Sequence, residues 1–395
     1  MNSYTTLLIL CCLVVLSYGF DFVARKTRFP AVILLMGVGI SVQMMFPTDS
    51  FMSYLPSLLE VLGTLGLILI VLEGGMDIHI AANKKKFILR ALLSSFAILI
   101  VTSFSLALVI HLLLGAPFYL CFVNAIPLSV ISSAIAIPSA AALSPENKEF
   151  VVYESTFSDI LGIILFNFVT SNPTINFNAF GGLTLQLVLV TLLSAIFSLL
   201  LFKLIEAITH KVKFFLILSL LILLYVMGKM LHLPSLLLVF VFGLLMGNRN
   251  LVMVPQIKKY FNTKGLDNHF DQFFLITSES AFIIRTFFFV VFGYSVPLLS
   301  LADSDVLLIG VLVFGCILAV RFLYMFFSKS KPLTILTLIA PRGLITILLF
   351  LTLPQELKLP DVGQGVLFIV ICLSLGALAL GTMVTGKKTP LDITG

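Results

Sequence analysis

Glu154-Ser155-Thr156-Phe157-Ser158-Asp159 opens an apolar run that continues as Ile160-Leu161-Gly162-Ile163-Ile164-Leu165-Phe166. The whole stretch reads as a membrane helix, and it carries a carboxylate well inside. An Asp near the middle of such a helix costs on the order of 2.5–3.5 kcal/mol on insertion scales, and the usual reason to bear that cost is a path for ions or protons. At 3.6 residues per turn, Ser155 and Asp159 are i,i+4 neighbours on one face, and Glu154 and Ser158 form a second such pair beside it. One stripe therefore offers a carboxylate and hydroxyl oxygens, hard donors that suit a small monovalent cation or a proton. Asp159 is the candidate cation and proton site, with Ser155 and Ser158 as further ligands.

The surroundings agree with a membrane setting. Of 395 residues, 60% are hydrophobic and 11% charged, and the mean hydropathy is +1.17; a soluble domain carries about 25% charged residues. The net charge of +6 does not point to nucleic acid, because the basic residues fall in short loops between apolar spans. The five Cys all lie inside apolar runs and show neither a disulfide framework nor a metal spacing. No nucleophile–base set and no phosphate loop is present, so an enzyme is not expected, nor a cofactor. No basic region precedes the first apolar span, so a cleaved signal peptide is not expected either.

Windows of about 20 apolar residues give thirteen spans: 4–22, 30–46, 55–77, 87–113, 119–143, 151–170, 182–207, 213–231, 233–247, 270–298, 305–327, 333–352 and 363–385. Lys and Arg gather in cytoplasmic loops. With the N-terminus outside, 20 of the 24 basic residues fall in inside loops and their flanks, Lys229 and Lys358 fall outside, and Arg285 and Arg342 lie within spans. The expected topology is N-out, C-in, in the inner cell membrane.

Two features recur seven spans apart. Arg28-Phe29-Pro30 opens span 2 and His232-Leu233-Pro234 opens span 9. Span 5 is interrupted at Ile137-Pro138-Ser139 and span 12 at Ala340-Pro341-Arg342-Gly343. Seven is odd, so the copies are inverted, the arrangement of secondary transporters whose binding site lies at the helix breaks. Ile137, Pro138 and Pro341 mark the expected breaks. Arg342 needs an anionic or carbonyl partner at that depth, with Glu154 the first expectation and Asp159 the second. Arg285 is expected to turn inward, either touching the ion site or anchoring its helix. Glu73 and Asp77 read as interfacial charges, and 251–265 as a basic amphipathic surface helix.

The hexapeptide resembles the Glu-Ser-x-x-Asn-Asp signature of the monovalent cation:proton antiporter superfamily, in its sodium/proton exchanger branch. Leu67–Met76 resembles that branch's third helix, Thr286–Gly293 its Phe-rich tenth helix, and Ala340–Leu344 its Arg-Gly break. The resemblance implies an all-α polytopic transporter with two inverted repeats and broken helices in spans 5 and 12 that cross beside the ion-binding Asp, here Asp159. It implies a homodimer, with dimerisation and interface helices at about 1–86 and 182–300 and core helices at about 87–170 and 301–388. It also pairs Glu154 with Arg342. The chain departs from the pattern twice: Ser158 stands for an Asn, and Ala136-Ile137-Pro138 aligns with Thr-Asp-Pro. The expected activity is exchange of Na+ or Li+, or K+, for protons by alternating access, electroneutral because a single carboxylate serves both ions. A channel-like or solute-symporting protein, or a sensor without an ion site (a reading prompted by Ile137), is the alternative.

Overall fold

The computed structural model describes residues 3–27, 29–45, 55–78, 84–173, 176–207, 214–231, 233–248, 266–298, 301, 303–329 and 332–385. All regular structure among them is helical. In chain order the helices are α1 (Ser3–Thr27), α2 (Ala31–Met45), α3 (Leu55–Asp77), α4 (Lys85–Leu114), α5a (Phe118–Ser129) and α5b (Ser133–Ser139), α6 (Pro145–Ser171), α7 (Phe177–Ala207), α8 (Phe214–Met230), α9 (Ser235–Gly247), α10 (Leu266–Ser295), α11 (Ser304–Phe327), α12a (Leu333–Leu338) and α12b (Leu344–Leu351), and α13 (Gln364–Thr385). Thirteen helical spans thus stand where the apolar windows put them. The surface helix expected at 251–265 lies outside the described residues.

Among the described residues, seven spans are long and apolar enough to cross a membrane on length and composition alone, and α2, α8 and α9 are shorter apolar helices. Helix ends follow local chemistry. The Asp303 side chain accepts the Asp305 N–H at 3.1 Å to cap α11. Gly115, at φ 65°, closes α4, its N–H returning to the His111 carbonyl, a left-handed position that Gly adopts freely.

The chain forms two compact units. The first comprises Met1–Glu60, Arg90–Gly162 and Thr286–Gly395. It holds α1, α2, most of α4 and α6, both broken spans, α11 and α13. The apolar stretch of span 5 is 83% buried, so the broken helix, rather than a continuous one, is at the centre of this unit. The second comprises Val61–Leu89 and Ile163–Arg285, in which α9 packs against both α7 and α8. Ser194 of α7 donates to the Leu238 carbonyl of α9 at 3.1 Å.

Each unit contains a helix pair brought into backbone contact at glycines. In the first, Gly39 of α2 lies against Val290 and Tyr294 of α10, and Gly293 lies on the Met36 carbonyl. In the second, a Cβ on Gly75 of α3 would stand 2.7 Å from the Phe240 carbonyl of α9, and one on Gly243 would stand 2.6 Å from the Leu72 carbonyl. Helix 2 meets helix 10, and helix 9 meets helix 3: the offset of seven converts one pair into the other, so the internal repeat is visible in the packing. Small residues allow this approach, which packs membrane helices where no hydrophobic force acts between them. Gly243→Ala is therefore expected to destabilise by about 1–3 kcal/mol, the usual cost of overpacking. Gly37→Ala, with nothing within 4 Å of a Cβ, should be neutral; melting of the purified protein in detergent measures both.

Candidate functional site

The break in span 5 runs over Val130–Ile131–Ser132, not over Ile137–Pro138–Ser139. Val130 is extended (φ −75°, ψ 132°), Ser132 is extended (φ −80°, ψ 115°), and α5b starts at Ser133. Ile137 and Pro138 lie inside α5b, and Pro138 is exposed. Proline removes only its own N–H, and near the end of a short helix that loss breaks nothing. Pro127 is likewise carried within α5a. What opens the helix at Val130 is the set of partners that meets its freed backbone. The break in span 12 falls as expected, between Leu338 and Leu344, with Pro341 buried within it.

The two breaks cross through the main chain: the Ser132 N–H donates to the Pro341 carbonyl at 2.9 Å. Helix α6 supplies the next partners. Ser158 Oγ accepts the Ile131 N–H at 2.9 Å, and Asp159 Oδ2 accepts the Ser133 N–H at 3.1 Å. Val130 packs on Gly162, where a larger residue would collide. The face of α6 carrying Ser158, Asp159 and Gly162 thus lies along the break. Ser155, on the same side, gives its hydroxyl proton to the Val151 carbonyl of its own helix at 2.7 Å; its oxygen keeps lone pairs. Asp159 is 2% exposed, and its Oδ1 has no hydrogen-bond partner among the described residues.

Two buried arginines tie the crossing. The pairing of Glu154 with Arg342 is overturned: Glu154 pairs with Arg321 of α11, Nη1 to Oε1 at 3.2 Å and Nη2 to Oε2 at 2.9 Å. Arg321 also donates from Nε to Leu336 O at 2.8 Å and from Nη2 to Ile339 O at 3.1 Å. It therefore caps the carboxyl end of α12a while holding α6. Arg342 meets no carboxylate among the described residues. Its Nε and Nη2 donate to Leu128 O and Ser129 O at the end of α5a, and its Nη1 to Ala340 O at 2.7 Å. The physical reason is the negative end of a half-helix, whose last carbonyls lack intrahelical donors. A guanidinium carries five N–H donors, and each of these two is spent on the half-helix that ends nearest it. Arg342 N–H is held by Ser374 Oγ of α13 at 3.0 Å.

Arg321 escaped the reading of the sequence because its charge was counted among the inside loops. It sits six residues before the end of α11 at Phe327, 1% exposed, between apolar runs on both sides; that flanking was the signal. Arg285, by contrast, is partly exposed, and its guanidinium lies over Phe282 of its own helix, 5.8 Å from the ring centre. Among the described residues, no three His, Cys, Asp or Glu side chains are grouped to hold a metal ion; a cation here would rely on one carboxylate with hydroxyls and backbone.

A family model described as the transmembrane region of sodium/hydrogen exchangers matches residues 10–386. Two solved structures of the sodium proton antiporter MjNhaP1 from Methanocaldococcus jannaschii share the fold. One, at pH 8, is 19% identical with a TM-score of 0.71 over 98% of this chain and 99% of that one. The other, an electron-microscopy map, is 20% identical with a TM-score of 0.65 over 98% and 94%. A search of curated protein sequences finds no match.

Proposed function

Because the chain belongs to the sodium/hydrogen exchanger family, we propose that it exchanges a monovalent cation, Na+ or Li+ or K+, for protons through Asp159 by alternating access. The observation that carries this reading is the Asp159 carboxyl, buried at the crossing of two broken helices with one oxygen on a backbone amide and the other without a partner among the described residues. A bare charge is costly to carry past an apolar barrier, so the unit bearing Asp159 moves only when a proton or a cation neutralises it. The two ions compete for one group, and that competition couples their flows. One carboxylate serving both gives electroneutral 1:1 exchange. The break residues support transport over a sensor that has lost its ion site. That reading rested on Ile137, which stands away from the break, whereas Ser132 and Ser133 stand in it.

The same proposal covers the setting: a multi-pass protein of the inner cell membrane, N-terminus outside and C-terminus inside. It works as a homodimer whose interface helices come from about 1–86 and 182–300, with core helices at about 87–170 and 301–388. The test is the purified chain in proteoliposomes with a trapped pH-sensitive dye, under imposed Na+, Li+ and K+ gradients. A cation-driven pH change of the same rate with and without a potassium–valinomycin clamp is the expected outcome. A current that reverses with the proton gradient overturns the 1:1 exchange, and proton movement without any counter-cation points to a channel-like path.

A further inference from the structure

Three buried oxygens at the crossing have no hydrogen-bond partner among the described residues: Asp159 Oδ1, Ser132 Oγ and Thr346 Oγ1. Hydroxyls on helices in this protein usually return their proton to the carbonyl four residues back. Thr352 does so to Leu348, Thr337 to Leu333, Ser129 to Ala125 and Ser155 to Val151. Ser132 and Thr346 are denied that outlet by the breaks. Four residues before Ser132 is Leu128, whose carbonyl is taken by Arg342 Nε. Four residues before Thr346 is Arg342 itself, which lies outside the helix. A buried hydroxyl with no partner costs about 1–3 kcal/mol, so two of them on the broken helices that cross at Asp159 raise the question of an occupant.

Backbone links place all three residues around the crossing. Ser133 holds Asp159 Oδ2 through its N–H, and Ser132 is the preceding residue. Ser132 Oγ stands 2.8 Å from where a Cβ on Gly343 would be. Gly343 caps α12b, and Thr346, fully buried, is in the first turn of that helix, closed by the Ile347 N–H on the Gly343 carbonyl at 3.0 Å. The absence of a side chain at Gly343 is what lets Ser132 come this close to α12b.

We propose that Ser132 and Thr346 are specificity-determining ligands of the transported ion, so that both broken helices hold it. This rests on the reading of Asp159 as the exchange site. A monovalent alkali cation takes one oxygen from each of Asp159, Ser132 and Thr346, and its single charge balances the single carboxylate. A divalent ion, which draws on several carboxylates, would remain uncompensated. When a proton replaces the cation, the Asp159 O–H donates to one hydroxyl, and that hydroxyl donates to the other. Either occupant satisfies all three atoms.

The experiment compares wild type, Ser132→Ala, Thr346→Val, Thr346→Ser and Asp159→Asn. Na+ and Li+ binding are measured by titration calorimetry in detergent, and exchange is measured in proteoliposomes. Thr346→Val is nearly isosteric, and melting of each variant checks folding. The expected result is a rise of fivefold or more in KM and Kd for Na+ and Li+ in Thr346→Val and Ser132→Ala, with Thr346→Ser within twofold of wild type. If wild type exchanges, Asp159→Asn does not, and both hydroxyl variants stay within twofold, the assignment of Ser132 and Thr346 is overturned and that of Asp159 stands. If wild type neither binds nor exchanges, both are overturned.

Discussion

Asp159→Asn is expected to bring cation-driven pH change in proteoliposomes down to the level of protein-free vesicles, for Na+, Li+ and K+ alike. The side chain keeps its shape, and an amide oxygen can still accept the Ser133 N–H that now goes to Oδ2. The Ser158 contact to Ile131 is on a neighbouring residue and is not touched. The fold therefore survives, and the melting temperature is expected to hold or rise, because a charge has been taken out of a buried position. What is lost is the only function a neutral amide cannot supply, the trading of a proton for a cation at one atom. Exchange retained in this variant, at any substantial rate, would remove Asp159 from the mechanism.

The second large effect belongs to Glu154 and Arg321. Leaving one member of a buried ion pair without the other costs about 3–5 kcal/mol. Glu154→Gln and Arg321→Gln should each fall in that range, read as a drop in the unfolding midpoint in detergent. The double variant should recover part of the loss, with a coupling energy of up to about 3 kcal/mol. Arg321→Gln is the more damaging of the two, since Leu336 O and Ile339 O lose their donors as well. Combining Glu154→Gln with Arg342→Gln should show much weaker coupling, because Arg342 is satisfied by Leu128, Ser129 and Ala340. A strong coupling there and a weak one with Arg321 would contradict the geometry.

Much of this architecture was legible in the chain. Only His232-Leu233-Pro234 separates two apolar runs near residue 232, yet α8 and α9 begin and end within two residues of the windows drawn around them. Hydropathy works here because a single continuous apolar span can satisfy its own backbone in a bilayer only as a helix, the other solution being a closed barrel of many strands. Asp159 and Ser158 were legible for the same reason, as polar groups where polar groups are costly. The misplaced break shows where this logic ends. Proline is a local signal, but span 5 opens where Ser158, Asp159, Pro341 and Arg342 converge from elsewhere in the chain, and no local pattern announces them. Arg342 was found and given the wrong partner, because charge suggests a carboxylate before it suggests a helix end. Thr346 stayed hidden since a hydroxyl in an apolar helix is ordinary; only the break at Arg342, four residues before it, sets it apart.

The Ser132 N–H to Pro341 O bond that closes the crossing involves no side chain, and most of the carbonyls held by Arg321 and Arg342 would be there whatever residues carried them. A joint written in main chain is indifferent to mutation at most of its own positions. Residues around it can then be exchanged widely while the architecture persists, so long as the two guanidiniums and the Glu154 carboxylate keep their places. That is how a chain with 19% of its residues in common with MjNhaP1 can share its fold over 98% of its length. It also makes the break a permissive place to vary chemistry: side chains beside Asp159 can be exchanged without reopening the question of how the helices cross.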